Sequence, residues 1–415
     1  MGGGYDTNPV WSPDGSRICW ISMERQGYEA DKQRLMVADV TIGEDGSCAV
    51  GKVRELSGSF KYNVADPVWD KDSRHIWFNS LAEGIQDIFK ADLDGQIERL
   101  TSEDWLYDFG SPYHIADGTV YAPYQSMDFP TELVAISADG LTPVTSENAD
   151  ILARLAPHKT EKRFIRTVDG KDMLTWVLYP PQFDPARKYP AIEICLGGPQ
   201  GTLSQSWSYR WNYRLMAAQG YVVILPNRRG TTAFGQEWCE QISGDYCGLN
   251  IQDYLSAARE LKKEKYIGKM AACGASYGGY SVYYLCGVHG NTYDAFIAHA
   301  GIFNQEHMYM TTEELWFPNW DNGGAPWDSN PTARRHYANS PHKLIHNWHT
   351  SLLVIHGGSD FRVPYDQGMA AFNCAQMMGV PSEIIVFPDE NHWILKPQNA
   401  IYWHRSYFEW LDRWL

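Results

Sequence analysis

The sequence lacks the long apolar runs of membrane proteins and the clustered basic residues of nucleic-acid-binding proteins. Its longest purely apolar runs, such as VVIL at 222–225, have the length of a core strand, far short of the ~20 residues that span a bilayer. Lysine and arginine are scattered through a chain of formal net charge −15, so no basic stripe could neutralise phosphates. We therefore expect no membrane and no nucleic-acid partner.

Paired cysteines and metal-binding motifs are also missing. The eight cysteines form no C-x-x-C pair and no dense framework, which is typical of buried apolar side chains. His342 and His346 stand four residues apart, but the glutamate that a zinc peptidase carries between them is absent. We expect neither a metal nor a cofactor.

A repeated phrase organises the first part of the chain. PVWSPDGSRICWIS at 9–22 is echoed by PVWDKDSRHIWFNS at 67–80 and faintly by SPYHIADGTVYAP at 111–123, each followed by a second hairpin-like segment. Short strands joined by Asp-Gly turns in a repeat of this kind are typical of β-propeller blades. Residues 1–155 are thus predicted to form an incomplete β-propeller of about three blades.

Three blades are too few to close a propeller, which needs about four to eight. We therefore expect the chain to be a fragment of a longer protein, truncated within its propeller. The start, MGGGYDTNPVW, has none of the charged and apolar regions of a signal peptide, and such a truncation would explain their absence.

The pattern changes near residue 156. From there, near-continuous apolar strands, such as AIEIC at 191–195, alternate with amphipathic helices up to the C-terminus. This alternation predicts a mostly parallel sheet with helices on both faces. We expect an α/β domain over residues 156–415, preceded by the partial propeller.

The segment CGASYGGYS at 273–281 places Ser276 in a G-x-S-x-G pattern. The apolar run MAAC leads directly into it and a helical pattern follows, which is the strand–turn–helix context of a nucleophile elbow. Such a turn is tight and strained, so the residues around the serine must have almost no side chain. Ser276 is predicted to be the nucleophile of an α/β-hydrolase.

A serine hydroxyl needs a base and an acid that orients the base, and in this fold they follow in the order Ser, acid, His. Asp360 in HGGSDFRVP and His392 in PDENHW satisfy that order. Each directly follows an apolar strand, so parallel strands would bring both to the sheet edge that holds the nucleophile. Asp366 is interpreted as a helix cap and His356 as a structural residue.

The negatively charged oxygen of an acyl-transfer intermediate needs two hydrogen-bond donors, which together form the oxyanion hole. One is expected from the backbone N–H of Tyr277, directly after the nucleophile. The second is expected from the N–H of Gly198, in the glycine-rich loop LGGPQG at 196–201.

These motifs resemble those of the prolyl oligopeptidase family of serine peptidases, with bacterial dipeptidyl peptidases and acylaminoacyl peptidases as the most similar types. The resemblance covers nearly the whole chain and includes NRRGTTAFG at 227–235 and GDYCGLNIQD at 244–253. It implies an active site in a cavity between propeller and hydrolase, short peptide substrates, and a periplasmic or secreted location. Since this chain shows no signal peptide, a cytoplasmic location stays open as the alternative. Ser276, Asp360 and His392 fall on the triad motifs of the family.

The sequence departs from the family pattern in two respects. Leu196 stands where many members have Tyr or His, so a side-chain oxyanion donor is absent there, while the amide of Gly198 is unaffected. In some dipeptidyl peptidases, propeller glutamates hold the free N-terminus of the substrate, and that part is missing here. Their role is not transferred to Glu313 and Glu314, for which a solvated helix face is expected.

The expected function is hydrolysis of short peptides through an acyl-enzyme, with release of dipeptides from free N-termini and an apolar residue at P1, the position whose carbonyl is attacked. The aromatic-rich segment 301–320 is expected to form a wall of the P1 pocket, with Phe303, Met308 and Trp316 as candidates. An acylaminoacyl peptidase or esterase is one alternative, and a non-catalytic propeller-type binding module is another. Homodimerisation is left open.

Overall fold

The computed structural model describes residues 3–102, 104–116 and 118–415. The chain forms two compact units. The first contains the residues up to 155 together with two later segments, 204–208 and 232–240, and the second contains the remainder. From the sequence, both later segments are expected in the second unit. They join the first through long-range hydrogen bonds, such as that from Gln236 Nε2 to the carbonyl oxygen of Ala30 at 3.0 Å.

Three antiparallel sheets build the first unit, and each begins near one copy of the repeated phrase. The strands of the first sheet are β1 (Asp6–Trp11), β2 (Arg17–Ser22), β3 (Arg34–Ile42), β4 (Cys48–Val50) and β5 (Arg54–Glu55). Those of the second are β6 (Ala65–Trp69), β7 (His75–Ala82), β8 (Ile85–Asp92) and β9 (Ile97–Arg99). Those of the third are β10 (Asp108–Phe109), β11 (His114–Ala116), β12 (Thr119–Ser126), β13 (Phe129–Ser137) and β14 (Gly140–Pro143). A short helix, α1 (Ala149–Leu152), follows.

The two faces of the middle sheet contribute to different apolar clusters, because side chains alternate along a strand. Ile76 and Phe78 on β7 pack into a cluster shared with the first sheet, whereas Trp77 packs into a cluster shared with the third. The repeated tryptophan also joins neighbouring copies, since Trp69 Nε1 donates to the carbonyl oxygen of Val10 at 3.0 Å. The three sheets therefore pack face to face in sequence order.

An eight-stranded sheet crosses the second unit in the order β15–β16–β18–β17–β19–β20–β21–β22. The strands are β15 (Lys159–Arg166), β16 (Asp172–Tyr179), β17 (Tyr189–Cys195), β18 (Val222–Pro226), β19 (Ile267–Ala275), β20 (Ala295–His299), β21 (Ser351–Gly357) and β22 (Ser382–Phe387). β16 pairs antiparallel with both β15 and β18, and all the other neighbours are parallel. The predicted α/β-hydrolase sheet is thus confirmed.

Helices connect these strands. They are α2 (Tyr213–Ala218), α3 (Gln236–Glu240), α4 (Leu249–Leu261), α5 (Tyr277–Val288), α6 (Gln305–Thr311), α7 (Trp316–Asp321), α8 (Pro331–Ala338), α9 (Asp366–Met377) and α10 (Pro397–Trp414). Short 3₁₀ helices span Thr232–Phe234 and Pro341–Asn347. Strands β18, β20 and β21 are buried along their whole length, as expected for a parallel sheet covered on both faces. None of the helices in the described ranges combines the length and hydropathy needed to cross a bilayer.

Four parallel strands lead into the predicted site residues. β17 continues into the loop 196–201 and β19 into Ser276, while Asp360 and His392 follow β21 and β22. Because the carboxyl ends of parallel strands lie at the same sheet edge, residues distant in sequence converge there.

Candidate active site

Ser276 lies on a sharp turn between β19 and α5. Its backbone angles are φ 61° and ψ −123°, a region that residues other than glycine rarely occupy. The backbone N–H of Ser276 donates to the carbonyl oxygen of His299 at 2.9 Å, which ties the turn to the neighbouring strand. The side chain thus begins at the N-terminus of a helix, whose field favours a developing negative charge.

Close backbone approaches explain the two glycines of the motif. A Cβ atom on Gly278 would lie 2.1 Å from the carbonyl oxygen of Cys195, and one on Gly274 would lie 2.5 Å from the carbonyl oxygen of Gly278. Any larger residue at either position would push the elbow away from β17. The pattern therefore reflects steric necessity at this turn.

Asp360 and His392 are joined by a hydrogen bond of 2.7 Å between Oδ2 and Nδ1. The other carboxylate oxygen accepts the backbone N–H groups of Arg362 and Val363 at 3.0 and 2.9 Å. Burial raises the pKa of Asp360, but the nearby ring of His356, the hydrogen bond with His392 and the backbone N–H of Val363 outweigh it and hold that pKa below its usual range. The acid is therefore a fixed, charged acceptor, so the proton of the histidine is on Nδ1.

His356 supports the loop that carries the acid. It is fully buried, and its Nε2 atom lies 2.7 Å from the carbonyl oxygen of Val363 and 3.6 Å from Oδ2 of Asp360. Asp366 is the first residue of α9, one position after the residue that caps the helix, so its charge faces the positive helix end. Neither residue replaces a member of the predicted triad.

The loop after β17 passes directly beside the nucleophile. A Cβ atom on Gly197 would lie 2.9 Å from the carbonyl oxygen of Ala275 and 3.7 Å from Cβ of Ser276. Gly198 has φ 124°, a backbone conformation that favours glycine. Tyr277 is the first residue of α5, where a backbone N–H has no carbonyl partner within its own helix. The fold thus brings the segments of both predicted oxyanion donors to Ser276.

A narrow cavity begins at Ser276. Its walls include the apolar side chains of Tyr246, Ile302, Met308, Phe317, Pro318 and Val363. Apolar walls beside a nucleophile suit a hydrophobic substrate side chain.

Polar groups line the same cavity. The side chains of Gln305 and Asn322 are buried, and within the described part of the chain neither Gln305 Nε2 nor Asn322 Oδ1 has a hydrogen-bond partner. Arg362 pairs with both neighbouring glutamates, at 3.1 Å to Glu313 and 3.1 Å to Glu314. These glutamates therefore differ from the purely solvated helix face that the sequence suggests.

Comparison with known proteins identifies the family. A family model described as the prolyl oligopeptidase family matches residues 207–415. The chain belongs to the prolyl oligopeptidase family. It is 51% identical over 418 residues to dipeptidyl-peptidase 5 of Porphyromonas gingivalis, covering 99% of this chain and 60% of that protein. It is 50% identical to dipeptidyl-peptidase 5 of Porphyromonas endodontalis, covering 99% and 59%. The chain thus spans about 60% of the length of these relatives.

Solved structures of similar fold include acylaminoacyl peptidase of Pyrococcus horikoshii, with a TM-score of 0.80 at 21% identity, covering 97% of this chain and 62% of that one. Dipeptidyl peptidase 4 of Porphyromonas gingivalis has a TM-score of 0.71 at 17% identity, covering 98% and 63%. At these identities the likeness describes the fold.

In the present chain, the three predicted P1 candidates lie in different environments. Met308 lines the cavity. Phe303 does not, because it is buried in the core, with its ring edge-on to Tyr283 and to Trp348 at centroid distances of 5.7 Å. Trp316 is 55% exposed. Phe303 and Trp316 are therefore not among the residues that line this cavity, unlike Met308.

Two of the cavity residues that the sequence missed are immediate neighbours of Phe303 and Trp316. Ile302 precedes Phe303 and Phe317 follows Trp316, and both line the cavity. Successive side chains point in different directions, so a shift of one position exchanges a wall residue for a core or surface residue. The aromatic-rich composition of segment 301–320 indicates that it forms a wall of the cavity, but it does not indicate which of two adjacent residues lines it.

Proposed function

We propose that the protein is a serine peptidase that releases dipeptides from the free N-termini of short peptides, with an apolar residue at P1. The single observation that best supports this proposal is the Asp360–His392 hydrogen bond of 2.7 Å at the sheet edge that also carries the Ser276 elbow. The relatives named dipeptidyl-peptidase 5, which resemble this chain over 99% of its length, favour the dipeptidyl specificity.

The proposed reaction proceeds by acyl transfer. His392 Nε2 takes the hydroxyl proton of Ser276 as its oxygen attacks the carbonyl carbon at P1, and Asp360 holds the Nδ1–H tautomer and stabilises the imidazolium. The backbone N–H groups of Tyr277 and Gly198 bind the resulting oxyanion. His392 then gives its proton to the leaving amine. A water molecule, deprotonated by the same histidine, hydrolyses the acyl-enzyme and restores the serine.

The first unit is proposed to be part of a β-propeller. Three face-to-face antiparallel sheets, each starting near a copy of the same phrase, are what successive blades would provide. We assign residues 1–155 to the partial propeller and 156–415 to the catalytic domain, with the exception of the two segments noted above.

Labelling with a fluorophosphonate probe, followed by peptide mapping, tests the nucleophile. Modification at Ser276 that is lost in His392→Ala is expected, because the hydroxyl reacts only when its base is in place. Absence of labelling in a folded wild-type sample, or modification at another serine, would contradict the proposal.

A matched substrate panel then tests the specificity. Dipeptidyl substrates with free and N-acetylated termini and the same P1 residue are compared with simple esters. A higher kcat/KM for the free amine is expected. Preference for the acetylated member would instead identify an acylaminoacyl peptidase, and cleavage of esters alone would identify an esterase.

A further inference from the structure

Arg228 is a fully buried arginine behind the predicted oxyanion hole. It lies two residues after the end of β18, in the NRRG stretch at 227–230, and its side chain is inaccessible to solvent. Burying a guanidinium is costly unless its N–H groups are used in hydrogen bonds. The residues that it contacts therefore indicate what it does.

The guanidinium fixes the start of the glycine-rich loop. Its Nη2 donates to the carbonyl oxygen of Leu196 at 3.0 Å, and its Nε donates to the hydroxyl oxygen of Tyr254 at 3.0 Å. The same hydroxyl oxygen accepts the backbone N–H of Leu196 at 2.9 Å. Both backbone polar groups of Leu196, two residues before Gly198, are thus held by the Arg228–Tyr254 pair.

The other side of the oxyanion hole contacts the same guanidinium. Its central carbon lies 5.1 Å from the ring centroid of Tyr277, within the range of a cation–π contact. That ring is anchored at its far end, because the Tyr277 hydroxyl donates to the carbonyl oxygen of Tyr246 at 2.8 Å. One buried cation therefore touches both segments that are expected to supply the oxyanion donors.

We propose that Arg228 is a positioning residue that sets the separation and orientation of the Gly198 and Tyr277 backbone donors; this inference rests on the proposed function. Donors act on an oxyanion only within about 2.7–3.1 Å of its position, so a small loop displacement weakens the transition state more than substrate binding. Arginine suits the task because its rigid planar fork holds donors at separate, fixed positions, whereas the three donors of lysine lie on one nitrogen at the end of a flexible chain.

The adjacent arginine offers a matched control. Arg229 is equally buried but pairs with carboxylates, at 3.0 Å to Asp253 and 2.6 Å to Asp169. These two carboxylates lie in the β15–β16 turn and on α4, away from the glycine-rich loop and α5. Arg228→Lys and Arg229→Lys therefore make the same chemical change one residue apart, and both remove buried hydrogen bonds.

The experiment measures kcat, KM and the affinities of two inhibitors for each variant. The concentration of active sites, by which kcat is normalised, is determined by fluorophosphonate titration. A peptide aldehyde forms a tetrahedral adduct on Ser276 and reports on the oxyanion hole, whereas the product dipeptide reports on ordinary binding. For Arg228→Lys we expect kcat and aldehyde affinity to fall together by about tenfold or more, with KM and dipeptide affinity within about twofold of wild type. For Arg229→Lys all four values are expected within about twofold.

Unchanged aldehyde affinity in Arg228→Lys, or an equal loss in both variants, would overturn the inference. If Arg228→Lys yields no folded protein, Tyr254→Phe takes its place, since it removes only the shared hydroxyl. A loss of about fivefold in kcat and aldehyde affinity is then expected, and no loss in either would again overturn the inference. Failure of the proposed function is distinguishable, because it is measured on the wild-type protein alone: no reaction with the probe or the aldehyde would mean that Ser276 is not a nucleophile, and no preference for a free N-terminus would mean that the specificity is different.

Discussion

The Nδ1 atom of His392 lies 2.7 Å from Oδ2 of Asp360, and the other oxygen of that carboxylate is held by two backbone N–H groups. The acid is thus oriented by the backbone of its own loop before it contacts the histidine. Such an arrangement fixes one tautomer and one ring orientation of the base, which leaves Nε2 as the proton acceptor.

Replacement of Asp360 by Asn tests this relationship. The amide can no longer hold the histidine as the Nδ1–H tautomer, so kcat is expected to fall by roughly 10³- to 10⁴-fold. Asp366→Asn, the same change at the start of α9, serves as the control and is expected to retain activity. Steady-state kinetics on one dipeptidyl substrate gives kcat for both variants and for wild type. An Asp360→Asn enzyme with kcat close to that of wild type would exclude a catalytic role for the pair.

The pKa of Asp360 also predicts a pH dependence of stability. This pKa is held below its unfolded value by hydrogen bonds that outweigh burial, so its stabilising contribution is present above about pH 4. The contribution is lost as the pH falls further, through the folded pKa. The difference in Tm between wild type and Asp360→Asn should therefore be constant from pH 7 to 5 and shrink below pH 4. A difference that grows on acidification would contradict this sign.

The backbone of Ser276 predicts a conflict between stability and activity. At φ 61° and ψ −123° glycine is relaxed, whereas serine and alanine are strained by about 1–3 kcal/mol. Ser276→Gly and Ser276→Ala both remove the nucleophile, but we expect Ser276→Gly to be more stable than Ser276→Ala by about 1 kcal/mol after the entropy cost of glycine. Thermal unfolding of both variants measures the difference. Equal Tm values would show that the elbow is unstrained.

Glu193 predicts a pH-dependent stability unrelated to catalysis. It is fully buried on β17, and burial raises its pKa to about 8 despite the hydrogen bond from Tyr293. Between an unfolded pKa of 4.5 and a folded pKa of about 8, the native state binds the extra proton, so stability falls as the pH rises. Glu193→Gln removes this loss. The free energy of unfolding of Glu193→Gln should equal that of wild type at pH 4.5 and exceed it by on the order of 2–4 kcal/mol at pH 8.

Unfolding curves from pH 4.5 to 8.5 measure the effect of Glu193→Gln. Tyr293→Phe provides a control, since it removes the hydrogen bond but retains the ionisable carboxyl group. The pH dependence should persist in Tyr293→Phe and disappear in Glu193→Gln. A stability difference between Glu193→Gln and wild type that does not vary with pH would contradict the prediction.

Met308 and Phe303 should respond differently to truncation. Met308→Ala enlarges the cavity beside Ser276, so the ratio of kcat/KM for Phe over Ala at P1 is expected to rise about tenfold. Phe303→Leu alters the core instead, and is expected to cost about 1–2 kcal/mol of stability without changing that ratio. Tm values and the two-substrate ratio separate the outcomes. A change of P1 preference in Phe303→Leu would place that residue in the pocket after all.

Much of the site is encoded locally. The elbow can be predicted from sequence because its sterics require small residues at fixed positions between an apolar strand and a helix, as Gly274 and Gly278 illustrate. Asp360 and His392 can be predicted because each lies in the loop after an apolar strand, and parallel strands end at the same edge. The α/β sheet is equally readable, since strands covered on both faces are continuously apolar.

Other features were decided by the tertiary structure. Nothing local distinguishes Ile302 from Phe303 as the wall residue, because that depends on which way the chain leaves β20. The contacts of Arg228 with Leu196 and Tyr277 join segments far apart in sequence, so neither arginine of NRRG reveals which one lies behind the oxyanion hole. The sequence by itself determined which chemistry is available and in what chain order. The three-dimensional packing decided which side chains face the substrate and what holds the catalytic backbone in place, because both depend on long-range contacts.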